Sequence, residues 1–212
     1  DFLSGASPAT DEEIFKSGRV PLPPYIREEI GDPERYQTVY ADREISSAAP
    51  TAGLHFTAAL LERIRARGVT LASLELAIGF DTFLPVREPR VEEHRMHSEW
   101  FRVPAGCAES VWAARDAGGR CVAVGTTVVR ALESAARSGT LHEAEGRTDL
   151  FIAPGFEFRV VDALLTNFHF PRSTLLMLVC AFGGRNRVLE AYHEAVRERY
   201  RFFSFGDAMF IS

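Results

Sequence analysis

The 212-residue sequence contains a single lysine, Lys16, among 24 basic residues, so its positive charge is almost wholly arginine. With a formal net charge of −5, this composition excludes the global basic field that many nucleic-acid binders carry. It leaves room for local phosphate contacts, because the planar guanidinium fork matches phosphate geometry. Cysteine is also scarce. Cys107, Cys121 and Cys180 are odd in number, far apart, and include no Cys-x-x-Cys pair. Neither a disulfide framework nor a zinc site is supported, and a reducing, cytoplasmic setting fits. No apolar run approaches the ~20 residues that cross a bilayer, so no membrane partner is expected. No signal peptide, internal repeat or heptad is expected from the pattern. Neither Gly-x-Gly-x-x-Gly nor Gly-x-x-x-x-Gly-Lys-Ser/Thr occurs, so spacing alone names no cofactor. The chain opens at Asp1 in mid-pattern, which leads us to expect a piece of a longer protein.

What is present suffices for a real core: 46% of residues are hydrophobic, enough for one domain with at most an appendage. The organising stretch is Arg120 to Ser134. Cys121 to Val124 is a short apolar run, suited to a strand buried on both faces. Gly125 breaks it. Thr126 or Thr127 can then cap a helix whose apolar side is Val128, Val129, Leu132 and Ala136. Such a strand–turn–helix leaves backbone N–H groups at the strand's carboxyl end, where open α/β sheets bind small polar ligands. The same pattern also fits an ordinary βα unit.

Along the chain, Val20 to Ile26 holds three prolines and cannot be helical. A rigid Pro-aromatic segment of this kind serves as a linker or as a scaffold for a pocket. Arg35 to Ala41 fits a helical turn with two tyrosines on one side. Ala48 to Phe56 is built from small residues that let backbone approach a ligand, and it contains His55. Thr57 caps a helix that Gly68 ends. A strand is expected over Val69 to Ile78, a helix over Pro104 to Ala117, a polar loop over Ser138 to Thr148, and strands over Leu150 to Phe156 and Phe158 to Leu165. Asp162 lies inside the last of these and needs a partner. Ser173 or Thr174 caps an apolar, buried helix over Leu175 to Phe182. An amphipathic helix over Val188 to Arg199 should turn Leu189, Tyr192 and Val196 inward. The alternation gives an α/β fold with a mixed sheet.

Polar residues gather in five loops: around His55, at Asp81, over His94 to Glu99, at Thr126 and Thr127, and over Asn167 to Arg172. If these meet at one sheet edge they make one pocket. His94, His97 and the neighbouring carboxylates fit an acid/base cluster, since imidazole titrates near neutrality; they equally fit a solvated charged turn. Their spacing matches no metal motif.

Seven stretches in order carry a resemblance. They are Val20-Pro21-Leu22-Pro23-Pro24-Tyr25-Ile26, Tyr36-Gln37-Thr38-Val39-Tyr40, Ala49-Pro50-Thr51-Ala52-Gly53-Leu54-His55-Phe56, His94-Arg95-Met96-His97-Ser98-Glu99, Gly125 to Ser134, Thr166-Asn167-Phe168-His169-Phe170-Pro171, and Tyr200 to Met209. Together they resemble the family of S-adenosylmethionine:tRNA ribosyltransferase-isomerases of queuosine biosynthesis, over roughly Val20 to Ser212. The resemblance implies a large α/β catalytic domain over residues 20–212. The family's inserted small β-barrel would be mostly absent, with residues 1–19 its remnant or a linker. It also implies that the ribosyl group of S-adenosylmethionine is transferred to 7-aminomethyl-7-deazaguanine in a tRNA anticodon stem-loop and isomerised. Epoxyqueuosine-tRNA forms, and adenine and methionine are released. S-adenosylmethionine would be consumed as a substrate, with no cofactor or metal, by a monomer. One run departs from the family's Leu-His-Val-Gly-x-Gly-Thr-Phe: here Ala77 replaces the histidine and Asp81 the second glycine.

On that resemblance, a base must take a ribose C5′ proton acidified by the sulfonium, and an acid can assist adenine as it leaves. The proton carrier is then His97, or else His55, with Glu99 or Asp207 facing positive charge. Thr126 and Thr127 would hold the ribose or the methionyl carboxylate. Asn167 and His169 would line a base pocket, and Arg130 and Arg172 would face phosphate or carboxylate. Two alternatives keep the substrates but change the outcome: a truncated or weakened homologue that binds without turnover, and a methyltransferase, for which no glycine motif is present.

Overall fold

Two three-stranded sheets enclose one buried helix in the computed structural model of the chain, which describes residues 21–27, 30–43, 46–79, 86, 93–94 and 96–212. The expected barrel remnant at residues 1–19, and Asp81, lie outside the described residues. In chain order the regular elements are α1 (Ala58–Ala66), β1 (Glu75–Ala77), β2 (Glu99–Val103), α2 (Ala105–Asp116), β3 (Val122–Val124), α3 (Thr126–Ala135), β4 (Ala144–Thr148), β5 (Ala163–Asn167), α4 (Thr174–Gly183), α5 (Arg185–Arg197) and β6 (Ala208–Ile211). Two 3-10 turns, Pro33–Tyr36 and Thr51–His55, precede them. One sheet is antiparallel, in the order β1-β2-β4. The other is mixed, in the order β3-β5-β6, with β3 and β5 parallel. A mixed α/β fold is therefore as expected.

Several local expectations hold for the physical reasons given. Thr57 accepts a hydrogen bond from the Leu60 N–H at 3.2 Å and starts α1; Gly68, at φ 79, ends it. Ser173 does the same for α4 through the Leu176 N–H at 3.1 Å. Asp162 finds its partners in the Arg115 guanidinium at 2.7 Å and the Cys121 N–H at 2.7 Å. Burial opposes its charge, but these bonds and the neighbouring guanidinium groups hold its carboxyl below the usual range.

Other expectations are corrected. Val122 is 47% exposed, so β3 is not buried on both faces; it is an edge strand. The cap of α3 is Gly125 rather than either threonine. The Gly125 N–H still donates to the Leu165 carbonyl at 2.8 Å, which extends the β3–β5 ladder by one residue. The chain must then swing from strand to helix within that residue, at φ 98, a region open mainly to glycine. The strand expected over 69–78 shrinks to Glu75–Ala77, the stretch that pairs with β2. Residues 150–156 form no strand, only the Pro154–Gly155 turn. Conversely β4 rises from what reads as a polar loop. Its Ala-Glu-Gly-Arg-Thr run is half solvated and is held by pairing with β2. In α5 the buried residues are Val188 and Ala195, and Val196 is 65% exposed.

Helix α3 packs against strands of both sheets and against α4. Its Val129, Ala131, Leu132 and Ala135 join a core that includes Phe101, Val103, Ile152, Val160, Leu164 and Val179. Because both sides are covered, its polar residues are buried too and must be paired. The Glu133 carboxylate accepts the N–H groups of Arg159, Val160 and Val161 at 2.9, 3.0 and 3.1 Å, fixing the approach to β5. Arg130 forms an ion pair with Glu99 on β2 and donates to the carbonyls of Leu150 at 3.0 Å and Thr148 at 3.4 Å. Replacing Arg130 with Met takes the guanidinium counter-ion from the buried Glu99 carboxylate, and such breakage costs about 3–5 kcal/mol. Urea denaturation should show a loss of that size for Arg130→Met, largely recovered in Arg130→Met/Glu99→Leu. A loss of less than about 1 kcal/mol, the level of an exposed pair, would contradict a core role.

Candidate functional site

The carboxyl ends of the parallel pair β3 and β5 open into a cavity of about 400 Å³. Gly125, Thr126 and Thr127 border it from one strand end, Thr166, Asn167 and Phe168 from the other. The small-residue segment Ala49 to Ala52 forms one wall and Ile78, beyond β1, another. Pro24, Tyr25, Phe170, Phe203 and Ser204 complete it with an aromatic side. The Pro-rich segment thus serves as pocket scaffold. The Phe170 and Phe203 rings stack with centroids 3.6 Å apart, and Tyr25 meets Phe170 edge-on at 4.9 Å. Tyr25 and Ser204 join hydroxyl to hydroxyl.

Asn167 ties the wall together. Its Oδ1 accepts from the Thr51 hydroxyl at 3.3 Å. Its amide nitrogen donates to the Phe203 carbonyl and to His55 Nε2, each at 3.0 Å. Three chain segments distant in sequence therefore share one side chain. Phe203 adopts φ 71, unusual for a bulky residue. In this conformation its carbonyl receives both Asn167 and the Gly206 N–H, the latter at 3.0 Å. The turn beyond it is closed by Asp207, which accepts from the Arg201 N–H at 2.7 Å and its guanidinium at 2.8 Å. A Cβ on Gly206 would lie 2.4 Å from the Arg201 carbonyl oxygen, so this turn needs glycine.

Of the residues expected in the site, Thr126, Thr127, Asn167 and His169 line the cavity. His55 stands behind Asn167, within the field of Asp207. Arg172 is exposed between the lining residues Pro171 and Ser173. Glu99 and Arg130 are elsewhere: they are buried against each other beside α3, because a charge enclosed in a core needs its counter-ion at contact distance. His97 is exposed and precedes β2. The register Ala77↔Trp100 puts it at the sheet end where Ile78 leaves β1 for the cavity wall. Ala77 is the last residue of β1. Reading the sequence missed Tyr25, Thr51, Thr166, Phe170, Phe203 and Ser204 as lining residues, although all of them sit in stretches already singled out.

No Asp, Glu, Lys or Arg is found among the described lining residues. The two titratable ones are both neutral at pH 7. Burial raises the Tyr25 hydroxyl above its ordinary value despite its bonds to Ser204. Burial also pushes His169 down to about 4, while its Nε2 lies 3.0 Å from the Thr166 hydroxyl. Asp207, by contrast, is held low by its hydrogen bonds to Arg201. No group of three or more His, Cys, Asp or Glu residues among the described residues could hold a metal ion. The arrangement suits a small ligand with a planar apolar part, neutral hydrogen-bonding groups, and at most a cation against the ring faces.

By fold and site this is an α/β domain with a neutral, aromatic-walled cavity at the carboxyl ends of parallel strands. The chain belongs to the family of queuosine biosynthesis proteins, whose model matches residues 3–211. It is 57% identical over 204 residues to the S-adenosylmethionine:tRNA ribosyltransferase-isomerase of Thermotoga maritima, covering 96% of this chain and 61% of that one. The protein of the same name from Moorella thermoacetica is 57% identical over 199 residues, covering 93% and 58%. The crystal structure of an S-adenosylmethionine tRNA ribosyltransferase from Thermotoga maritima superimposes with a TM-score of 0.64 at 50% identity, over 76% of this chain and 51% of that one. The chain thus spans about three fifths of the length of these curated relatives. No helix among the described residues is long and apolar enough to cross a membrane.

The depressed His169 makes stability pH-dependent. Its folded value lies near 4 and its unfolded value near 6.5. Between these the unfolded chain binds the extra proton, so stability is full above about 6.5 and falls as pH drops toward 4. Denaturation at pH 5 should show about 2 kcal/mol less stability from this group than at pH 7. His169→Gln should flatten that slope; an unchanged slope would show that His169 is not a buried neutral imidazole.

Proposed function

We propose that this chain supplies the catalytic domain of an S-adenosylmethionine:tRNA ribosyltransferase-isomerase. In this reading it transfers and isomerises the ribosyl group of S-adenosylmethionine onto 7-aminomethyl-7-deazaguanine in a tRNA anticodon stem-loop. The products are epoxyqueuosine-tRNA, adenine and methionine. S-adenosylmethionine is a substrate and no cofactor is needed. The protein works as a cytoplasmic monomer. The observation that carries the reading is the neutral, aromatic-walled cavity at the ends of β3 and β5, in a chain so close to proteins bearing that name.

The residues take roles by chemistry. The rings of Tyr25, Phe170 and Phe203 offer faces to a sulfonium cation and to a planar base. Thr126 and Thr127, in the first turn of α3, present hydroxyls and N–H groups to the ribose or the methionyl carboxylate. Asn167 and His169 border the base. Arg172 lies at the rim for phosphate. Glu99 and Asp207 hold positive charge, the first on Arg130 and the second on Arg201. The proton is carried by His97 or by His55, and general acid–base help of this kind is worth about 10²–10⁴-fold.

A second reading is favoured by Ala77 and Asp81, which depart from the family's run: a domain that binds S-adenosylmethionine or tRNA without turnover. Adenine release separates the two. We expect adenine from S-adenosylmethionine and substrate tRNA, either from this chain or from a form extended at its N-terminus. We expect His97→Ala to abolish it with the fold intact. Unchanged turnover in His97→Ala would remove that residue from the chemistry. Bound tRNA with no adenine from either form would favour the binding-only reading.

A further inference from the structure

The hydrogen bonds around Asn167 fix more than the shape of the wall. The Phe203 carbonyl can only accept, so the amide atom 3.0 Å from it is the nitrogen. Thr51 donating to the other amide atom agrees with this. The second hydrogen of the same nitrogen faces His55 Nε2 at 3.0 Å. A donor directed at Nε2 requires a lone pair there, so the ring's proton must sit on Nδ1.

We propose that Asn167 is a positioning residue that locks His55 as the neutral Nδ1–H tautomer, so that His55 is not the base. Its Nε2 lone pair is occupied and its Nδ1 already carries a proton, so neither nitrogen can take up another without breaking the Asn167 contact. The charged groups acting on the ring are Asp207 and Arg201, which are paired with each other. Burial lowers the imidazole's affinity for a proton, Asp207 works against this, and the net direction is down, in keeping with a neutral ring. Within the proposed reaction the inference leaves proton removal to His97, and that consequence alone rests on the functional reading.

The tautomer is tested without substrate. In the 212-residue chain labelled with ¹⁵N-histidine, two-bond ¹H–¹⁵N correlation spectra between pH 5 and 8 should show His55 with a protonated Nδ1 and a bare Nε2. Asn167→Asp places a carboxylate against Nε2 and should convert His55 to the imidazolium at the low end of that range, with a raised midpoint. A bare Nδ1, or an imidazolium midpoint at the ordinary value near 6.5 in the unmodified chain, would overturn the proposal, and this reading needs no variant to fold. In the N-terminally extended form, His55→Gln keeps an amide donor. We expect it to lose less than about tenfold in kcat/KM, against about 10²-fold or more for a missing general base. A loss of about 10²-fold or more would refute the proposal.

Discussion

A helix enclosed between two sheets cannot leave any polar group unpaired, and α3 carries four polar residues into that position: Thr126, Thr127, Arg130 and Glu133. Each shapes what surrounds it. Arg130 draws Glu99 of β2 and the carbonyls near β4 onto the helix, and so fixes the antiparallel sheet. Glu133 gathers three consecutive N–H groups ahead of β5 and so fixes the mixed sheet. The two threonines, one turn earlier, are left facing the cavity. Burial of this kind adds little stability compared with an apolar core, yet it tolerates few alternative arrangements. The strand ends are held in register with the pocket by charges that never touch it.

The pocket is then closed by contacts of a different kind. Asn167 at the end of β5 joins the Thr51–His55 turn to the loop at Phe203. The Asp207–Arg201 pair and Gly206 shape that loop. Because the wall is neutral and aromatic, it can take a cation by ring faces and a sugar by neutral donors.

Much of this was legible in the residues. The strand–Gly–helix at Gly125, the caps at Thr57 and Ser173, and the demand of Asp162 for a partner follow from local chemistry that needs no tertiary context. The convergence of the His55, Thr126 and Asn167 loops was foreseeable from their placement at strand ends. What could not be read was long-range. Polar residues 144–148 become a strand only because β2 lies beside them. Glu99 and Arg130 look like site residues in one dimension, since a buried ion pair and a ligand-binding pair use the same side chains. Val122 and Val196 are apolar but exposed, and no periodicity reveals which face a neighbour will cover. The tautomer of His55 depends on a carbonyl 148 positions away, beyond any motif.

The most direct test is a crystal structure of the chain, or of its N-terminally extended form, with S-adenosylmethionine. The expected result places the ligand in the cavity between Gly125 and Asn167, its sulfonium against the rings of Tyr25, Phe170 and Phe203. S-adenosylmethionine bound elsewhere on the domain, with this cavity empty, would contradict the assignment of the pocket and of every role built on it.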